Sequence, residues 1–533
     1  MIRRRVILAA LCVVLFGLGW WVGRGGASND LYGNLDLFVE ILQKVESNYV
    51  DPVDPHQLVD GAIKGMLRTL DPHSQYLDTK AYASLENVTH GSFEGIGIVV
   101  SMRDNRPTVI APIEGSPAWE AGLQSGDVIV RIDGESTSGF TVEDTADRLR
   151  GRDGSSVTVS LRREGDPEER DVTLIRRRIE TKSVPYAFVA GHGTGYLRIA
   201  NFTEKTSAEV REALTKLRAD GARSLVLDLR SDPGGLLDQA VDVAEDFIPK
   251  GSLVVYTRGR ARGQDNRYYA AEPRPELRWP MVVLVDQGTA SASEIVAGAL
   301  QDLDRALIVG RTSFGKGSVQ SVFPLAGRTA ALKLTTALYY TPSGRSIHRE
   351  GLPSFAANSG DDEGVGEAPA APAPPDSVPV LRYHTADGRV VYGGGGITPD
   401  VVVTPDSLPP LAALIERRGL PFRFANRWVT AHPEGAAGAA LSEAQWDGFV
   451  ELLRSEKIAA DPEALRAQRP LLERAVRREL ARRRGGDAVA ARIALEGDPV
   501  FQRALEVLGR ARLPREVFAI GAAAPAPAAD AQR

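Results

Sequence analysis

A serine and a lysine lie in two short segments of small residues, and their setting suggests nucleophilic chemistry. Ser291 follows an apolar run, Met281–Val285, and a polar turn, and it precedes a stretch with helical character. A strand that turns sharply into a helix can present a serine at the helix start, where the helix dipole favours developing negative charge. We therefore predict that Ser291 is a nucleophile and that Lys316, which has glycine on both sides, is its base.

The choice of a lysine base depends on the other titratable residues. The chain has seven histidines, and none lies in a convincing motif for a Ser-His-Asp triad. A lysine can act as the base only when its amine is neutral, and burial lowers the pKa of an ammonium group. A neutral Lys316 would take the proton of Ser291 and return it to the leaving amine. Gln320, four residues after Lys316, is predicted to orient that amine by hydrogen bonding.

An oxyanion formed at Ser291 would need preorganised N–H donors. The amide of Ala292, directly after the nucleophile, is one candidate. The pair Gly234-Gly235 is the other, because it follows the apolar run Ser224–Leu229, which is typical of a parallel strand buried on both faces. Sites in α/β sheets form beyond the carboxyl ends of such strands. We therefore expect the glycine pair and Ser291 to lie on the same side of a sheet.

Plainer interpretations exist for the same residues. Ser291 alone could be a helix cap, and Ser293 competes with it as a nucleophile by position. The surroundings of Lys316 lack the spacing of a phosphate-binding loop. Glu294 and Asp302 could tune the site, although the plainer interpretation is that each is a structural or solvated carboxylate. Tyr339 and Tyr340 are expected to pack in a sheet.

An earlier segment of short strands and turns resembles a PDZ domain. The matching motifs are Gly95-Ile96-Gly97-Ile98, Gly115-Ser116-Pro117-Ala118, Ala121-Gly122-Leu123 and Gly126-Asp127-Val128-Ile129. Backbone amides of a glycine-rich loop can hold a peptide carboxylate, and an open strand edge can add an extended peptide. The resemblance implies that Gly95, Ile96, Gly97 and Ile98 bind peptide, whereas the plainer interpretation is that these glycines only make turns.

A wider resemblance covers about residues 35 to 405. It is carried by Asp228-Leu229-Arg230 with Pro233-Gly234-Gly235, by the segment from Gly288 to Ile295, and by Phe314-Gly315-Lys316-Gly317-Ser318-Val319-Gln320. Together these segments resemble the carboxy-terminal processing proteases, also called tail-specific proteases. The resemblance implies a multidomain α/β protein in which a PDZ domain precedes a ClpP/crotonase-like protease core, with N-terminal helices and a helical C-terminal extension.

The same resemblance implies a role for each matching residue. Ser291 matches the family nucleophile, Lys316 the base and Gln320 its partner, and alignment of the whole motif selects Ser291 over Ser293. No metal or organic cofactor is implied. One departure is that Ser231-Asp232 replaces the more usual asparagine-containing pair, which leaves the geometry of the glycine loop open. Another is that the acidic Ala/Pro-rich insertion and the long helical C-terminus lie outside the shared core.

Composition limits the other classes of function. Of the 533 residues, 43% are hydrophobic and 25% charged, which is ordinary for a globular protein of several domains. The net charge of −5 gives no signature of nucleic-acid binding. Cys12 is the one cysteine, so neither a disulfide framework nor a cysteine-based metal site can form within the chain.

The N-terminus has the pattern of an export signal. Arg3-Arg4-Arg5 precedes the apolar run Val6–Val22, and Trp20-Trp21 is typical of an interfacial belt. We expect an uncleaved anchor in the bacterial inner membrane, with the body in the periplasm or cell envelope. Cleavage near Gly25-Gly26-Ala27 and a buried N-terminal helix are the alternatives.

The predicted organisation has eight parts. They are a signal or membrane anchor (1–27), an N-terminal helical region (28–82), a PDZ domain (83–180), a protease core (181–350), a disordered insertion (351–377), a return to the core (378–405), a helical C-terminal region (406–520) and a disordered tail (521–533). The basic run Arg474–Arg484 is expected to be a solvated helix face.

These features predict a serine endopeptidase that cleaves exported proteins near their C-termini. Its partners would be protein substrates with flexible C-terminal tails, and the membrane through the N-terminal segment, with no nucleic acid; self-association into a homo-oligomer stays open. The alternative is a non-catalytic PDZ adaptor that binds protein C-termini through the same PDZ domain.

Overall fold

A computed structural model describes residues 28–163, 168–272, 278–325, 329–349, 381–405, 407–432, 434–459 and 461–523. The predicted anchor (1–27), the predicted insertion (351–377) and all but three residues of the predicted tail lie outside these ranges. The chain forms two units, Met1–Tyr76 and Leu77–Arg533.

The described part of the first unit is helical, as its apolar periodicity predicts. Helix α1 spans Ser28–Asn48 and helix α2 spans Pro55–Arg68. The Asp54 side chain caps α2 by accepting a hydrogen bond from the amide of His56, and a proline occupies the first turn. A short strand, β1 (Gln75–Leu77), crosses the boundary between the two units.

The second unit begins with a helix and a β-rich domain. The elements before its main sheet are α3 (Thr79–Thr89) and β2 (Ser92–Gly95). The sheet is antiparallel, in the order β3-β4-β5-β7-β8, with β6 paired to β5. These elements, with two helices, are β3 (Ile98–Arg103), β4 (Arg106–Pro112), α4 (Pro117–Glu120), β5 (Val128–Ile132), β6 (Glu135–Ser136), α5 (Val142–Leu149), β7 (Ser156–Arg162) and β8 (Arg170–Ile175). Strand β9 (Arg177–Glu180) returns to pair with β2.

A largely parallel sheet forms the centre of the next domain. Its order is β10-β11-β12-β15-β16-β21, and only β10 runs antiparallel to its neighbour. The first elements are β10 (Tyr186–Ala190), β11 (Thr194–Arg198), α6 (Thr206–Ala219), β12 (Ser224–Asp228), α7 (Leu237–Glu245), β13 (Leu253–Gly259) and β14 (Arg267–Tyr269). They are followed by β15 (Met281–Val285), α8 (Ala292–Asp302), β16 (Leu307–Gly310), β17 (Ser318–Pro324) and β18 (Ala331–Tyr340).

Successive side chains of the central strands point to opposite faces of the sheet, so the core has two layers. Leu225 and Leu227 face helices α6, α7 and α8, whereas Val226 between them faces the opposite side. Because both faces of the sheet are covered, strands such as β12 and β15 are buried along their whole length. A second, antiparallel group pairs β17 with β18, β18 with β13, and β13 with β14.

Two short strands and an edge strand complete this domain after residue 380. They are β19 (Arg382–His384), β20 (Val390–Tyr392) and β21 (Val401–Val402). The strand β21 pairs in parallel with β16, so the chain after residue 380 returns to the sheet as predicted.

The C-terminal region is helical and lies against the rest of the second unit. Its helices are α9 (Pro410–Arg417), α10 (Leu420–Ala431), α11 (Glu443–Ser455), α12 (Pro462–Leu495), α13 (Pro499–Arg510) and α14 (Glu516–Ala523). Helices α9 to α12 build a cluster of their own around Phe424 and Phe449, and α13 covers the second face of the central sheet. Among the helices that the structure describes, none is both long and apolar enough to cross a membrane.

The expectation of a solvated arginine face on α12 is wrong. Arg478 forms ion pairs with Glu416 and Glu479, and Arg482 forms ion pairs with Glu479 and Asp487. Both arginine side chains are 29% exposed, and Glu479 is buried. The basic run Arg474–Arg484 therefore holds the helices together. The sequence of one helix cannot reveal this role, because the acidic partners lie partly on other turns and helices.

Candidate active site

Ser291 lies at a strained turn between a buried strand and a buried helix. Strand β15 ends at Val285, and α8 begins at Ala292. The backbone of Ser291 has φ +57° and ψ −116°, a conformation that is costly for a residue with a Cβ atom. Such strain is typical of a serine that a sharp strand-to-helix turn holds at the top of a sheet. The tertiary structure therefore maintains this conformation against local preference.

Ser293 has a different environment from Ser291. It is fully buried, and its hydroxyl donates a hydrogen bond to the carbonyl oxygen of Asp232 at 3.2 Å. Ser291 is only half-buried. Of the two competing serines, the one that the motif alignment selects is thus also the more accessible.

Glu294 joins the two segments that carry Ser291 and Lys316. Its carboxylate is fully buried and accepts hydrogen bonds from the backbone amides of Ser291, Gly315 and Lys316 at 2.8–2.9 Å, and from the Ser313 hydroxyl at 2.5 Å. Burial raises the pKa of Glu294, and the Ser313 hydroxyl and the three amides oppose that rise. The expectation of a structural carboxylate did not include this bridging position. Glu294 lies three residues after Ser291, as in a capping box, and this spacing is the local signal that could have predicted its bond to the Ser291 amide.

Tyr339 also joins these two segments. Its buried hydroxyl donates to the carbonyl oxygen of Ser291 at 3.0 Å and lies close to the carbonyl oxygen of Lys316. Burial is also the main reason that the pKa of Tyr339 is raised well above its usual value, so the hydroxyl keeps its proton. No local pattern predicts this contact, because Tyr339 is 48 residues from Ser291.

The environment of Lys316 lowers the pKa of its amine and so increases the neutral fraction. The pKa of Lys316 is lowered to about 8, mainly by burial and also by the nearby Lys333 ammonium, while Glu294 opposes the shift. The pKa of Lys333 is itself lowered by burial. The close approach of the chain at Gly317 accounts for a glycine there, since a Cβ atom would lie 2.7 Å from the amide nitrogen of His348.

The side chain of Gln320 bonds to two hydroxyls and not to the Lys316 amine that was predicted as its partner. Its side-chain amide donates to the hydroxyls of Ser318 at 3.0 Å and Thr335 at 3.3 Å. Within the described residues, no hydrogen bond joins Gln320 to the Lys316 amine. Ser318 is close enough in sequence to compete for the amide, and Thr335 is the cross-strand partner of Gln320 in β18.

The glycine loop lies against Ser291, as expected from the strand order. A Cβ atom on Gly234 would lie 2.7 Å from the amide nitrogen of Ala292 and 2.9 Å from Cβ of Ser291. However, the amide of Gly234 donates to the Asp232 carboxylate at 2.8 Å, so this donor is already engaged. Of the predicted oxyanion donors, Gly235 and Ala292 remain without a recorded side-chain acceptor in the described part of the chain.

Asp232 is buried beside this loop. One carboxylate oxygen accepts the hydrogen bond from Gly234, and the other has no hydrogen-bond partner among the described residues. Burial raises the pKa of Asp232 to about 7, against the opposing effects of the Gly234 amide, Ser293 and Arg198. A buried group with so perturbed a pKa is typical of a functional site.

The Asp228-Leu229-Arg230 segment anchors the start of the same loop. Asp228 is fully buried and accepts hydrogen bonds from the Arg230 guanidinium at 2.7 and 3.0 Å and from the Tyr196 hydroxyl at 2.8 Å. Burial alone would raise the pKa of Asp228, but the guanidinium groups of Arg230 and Arg198 hold it below its usual value. Arg230 also forms an ion pair with Asp498, which caps α13.

The segment Gly95-Ile96-Gly97-Ile98 leads into an edge strand of the β-rich domain. Strand β3 begins at Ile98 and lies at the edge of its sheet, near α5. The backbone of Gly97 has φ +77°, and a Cβ atom there would lie 2.2 Å from Cβ of Ser116. The Ser116 hydroxyl in turn donates to the carbonyl oxygen of Gly97 at 2.9 Å. Glycine is therefore required at this position by both conformation and space.

Comparison with known families agrees with this architecture. The model of peptidase family S41 matches residues 193–354, a PDZ domain model matches residues 108–163, and the model of the activating protease CtpB N-terminal domain matches residues 26–81. The fold and the site therefore define a serine-type peptidase with a PDZ domain.

The family is identified by relatives that this chain matches along most of their length. A carboxy-terminal-processing protease of Bartonella bacilliformis is 45% identical over 327 residues, which are 61% of this chain and 74% of the relative. The carboxy-terminal processing protease CtpA of Bacillus subtilis is 34% identical over 348 residues, which are 65% of this chain and 73% of the relative. The chain belongs to the carboxy-terminal processing protease family.

A solved structure is similar in sequence over much of the chain. The photosystem II D1 C-terminal processing protease is 30% identical, with 70% of this chain and 94% of that chain covered and a TM-score of 0.37.

Proposed function

We propose that the protein is an endopeptidase in which Ser291 and Lys316 form a catalytic dyad. The observation that carries this proposal is the pair of buried side chains, Glu294 and Tyr339, that bond to the backbone of both residues. The lowered pKa of Lys316 supports it, because an amine with a pKa of about 8 is neutral in an appreciable fraction of molecules near neutral pH.

The chemistry would proceed in two halves. Lys316 Nζ takes the proton of Ser291 Oγ as this oxygen attacks the scissile carbonyl carbon. The amides of Ala292 and Gly235 donate to the resulting oxyanion, and Lys316 then gives the proton to the leaving amine. Lys316 Nζ then takes a proton from a water molecule that attacks the acyl carbon, and it returns this proton to Ser291 Oγ as the ester bond breaks and the carboxylate product leaves.

Cleavage assays with matched variants test the dyad. The substrate is a folded protein with a flexible, apolar C-terminal tail. Ser291→Ala and Lys316→Ala are each expected to lower kcat by at least about 10³-fold, as in other nucleophile–base pairs. The controls, Ser138→Ala and Lys250→Ala, change exposed residues of the same types and should keep wild-type activity. Equal cleavage by all variants would exclude the dyad, and tail binding without cleavage by the wild type would favour the adaptor.

We also propose that the PDZ domain binds the C-terminal tail of the substrate at Gly95, Ile96, Gly97 and Ile98. The edge position of β3 supports this, since an extended peptide can add to an exposed strand edge. Gly97→Ala places a Cβ atom 2.2 Å from Ser116 and should raise KM for tailed substrates with little effect on kcat. Gly139→Ala is the control, because Gly139 also has a positive φ but open space around it.

Finally, we propose that residues 1–27 anchor the protein in the bacterial inner membrane with its body in the periplasm or cell envelope. The basic residues before the apolar run support this orientation. Protease added to spheroplasts should digest the body, and alkaline extraction should leave the N-terminal segment with the membranes. Release of the intact chain by alkaline extraction would contradict an uncleaved anchor.

A further inference from the structure

A cleft lined by arginines lies where the PDZ domain meets the C-terminal helices. Its volume is about 450 Å³, and its walls come from β3, β4, β5, β7 and α10. Five arginines line it: Arg103, Arg106, Arg162, Arg163 and Arg423. Among the described residues of its lining, Asp104 is the one that is acidic. We propose that this cleft binds a small multivalent phosphate anion.

Two of the five guanidinium groups are neutralised within the chain. Arg163 forms a bidentate pair with the buried carboxylate of Asp127 at 2.7 and 2.8 Å. Arg423 is paired with Glu456 and lies 3.7 Å from the exposed carboxylate of Asp104. These two arginines shape the wall of the cleft more than they add free charge.

The other three guanidinium groups carry charge that the described residues do not neutralise. Arg103, Arg106 and Arg162 form no ion pair with any residue that the structure describes. Like charges that converge on one cleft repel each other, and this repulsion is relieved by an anion. The arrangement therefore favours an occupied cleft over an empty one.

Arg103 is held in place by packing. Its guanidinium carbon lies 5.5 Å from the centre of the Phe422 ring, and a Cβ atom on Gly419 would lie 2.3 Å from its Nη1. Its Nε is buried without a hydrogen-bond partner among the described residues. A donor group held this way loses little entropy when it binds an acceptor, which is the usual advantage of preorganisation.

The chemistry of the donors selects the class of ligand. Guanidinium groups bind phosphate oxygens in a planar, bidentate manner, and three uncompensated charges suit an anion with more than one negative charge. A cleft of this volume accepts a pyrophosphate group or the phosphate chain of a nucleotide. Both sources share the same chemistry, and separate titrations distinguish them.

An anion in the cleft would bridge the PDZ domain and the C-terminal helices. The two parts already contact each other beside the cleft, where the Asn426 side chain fills the space that a Cβ atom on Gly126 would need. Arg483 of α12 also donates to the Gln124 side chain at 2.7 Å. Binding would thus strengthen an existing contact rather than create a new one, and it is independent of the proposed catalytic dyad.

Isothermal titration of the full chain with pyrophosphate, at constant pH and ionic strength, tests the proposal. We expect saturable binding of one anion per chain, and Arg106→Gln/Arg162→Gln should weaken it at least tenfold. The control Arg152→Gln/Arg170→Gln removes the same charge from exposed positions of the same domain and should change affinity by less than twofold. A parallel titration with adenosine triphosphate shows whether a nucleoside adds to the affinity.

Three results would overturn the proposal. One is an absence of saturable binding by pyrophosphate and by adenosine triphosphate. Another is equal weakening in the two double variants, since that would show a general effect of charge. The third is tight binding of an oligoglutamate peptide with no binding of either phosphate ligand, which would assign the cleft to an acidic segment of a protein partner.

Discussion

Two buried side chains each contact the backbone of both the proposed nucleophile and the proposed base. Glu294 accepts hydrogen bonds from the amides of Ser291 and Lys316, and Tyr339 contacts the carbonyl oxygens of the same two residues. Each side chain thus contacts both peptide units, so the two segments cannot move apart without breaking buried hydrogen bonds. This explains how Ser291 is kept at a positive φ despite its local cost.

The adjacent tyrosines of β18 provide a test of this arrangement. Tyr339→Phe removes the only side-chain hydroxyl that donates to the Ser291 carbonyl in the described part of the chain. The loss should cost about 1–3 kcal/mol of stability, because it removes a buried donor from two carbonyl oxygens, of which that of Ser291 keeps the Ile295 amide as its donor. It should also lower kcat about tenfold or more, since small displacements of reacting groups are costly.

Tyr340→Phe is the matched control for that change. Tyr340 stacks on Tyr256 with ring centres 5.1 Å apart, and its packing does not depend on the hydroxyl. Steady-state kinetics and thermal unfolding of both variants are the measurements. Equal effects of the two changes would show that the Tyr339 hydroxyl does not position the site.

The pKa of Lys316 predicts the direction of the pH–rate profile. The protonated amine cannot accept the proton of Ser291, so kcat/KM should rise with pH and level off above a midpoint near 8. Because the Lys333 ammonium contributes to lowering this pKa, Lys333→Met should move the midpoint upwards. The control is Lys182→Met, an exposed lysine. A profile that is flat from pH 6 to 9 would contradict a lysine base.

Asp232 should make stability fall as pH rises. Its pKa is raised from 3.8 to about 7, so between these values the folded chain binds a proton that the unfolded chain has lost. The slope of the unfolding free energy with pH is then negative in this window. Asp232→Asn removes the titrating group, and thermal unfolding from pH 4 to 7 should lose this part of the decline. An unchanged decline would show that other groups cause it.

At the scale of elements, strands and helices were predictable but their contacts were only partly so. The apolar runs Ser224–Leu229 and Met281–Val285 correspond to β12 and β15, because strands buried on both faces are apolar throughout. The proximity of Gly234 to Ser291 also followed from strand order. By contrast, the partners of Gln320 depend on the register of β17 with β18, which no local pattern encodes.

The loop after β12 offers a test at this scale. In Gly234→Ala, the new Cβ atom would lie 2.6 Å from the Ala290 carbonyl oxygen and 2.7 Å from the Ala292 amide, and φ is +89°. Neither backbone atom can move without shifting the start of α8, so we expect a loss of kcat of at least about 10²-fold. Gly251→Ala is the control, with a similar φ of +84° and open space. Equal kcat in both variants would show that the loop does not contribute to catalysis.

At the scale of the whole molecule, the C-terminal region is part of the catalytic domain's core. Phe501 of α13 packs edge-on against Tyr196 of β11, with ring centres 5.5 Å apart, and it belongs to the cluster that covers Val226 and Val282. The Tyr196 hydroxyl bonds to Asp228, and Arg230 pairs with both Asp228 and Asp498. The sequence predicted helices here but not this role, because the apolar face of a helix does not identify what it covers.

A cavity in this layer should destabilise the central sheet. Phe501→Ala removes a side chain that is 3% exposed and should cost about 3–5 kcal/mol. Since unfolding of a protein of this size need not be two-state, the measurement is hydrogen exchange of the β12 and β15 amides. The control is Leu513→Ala, at a position that is 62% exposed. It should change the free energy of opening obtained from exchange by less than about 0.5 kcal/mol. If exchange rises only in α13 and not in the two strands, the C-terminal layer is a separate folding unit and does not support the site.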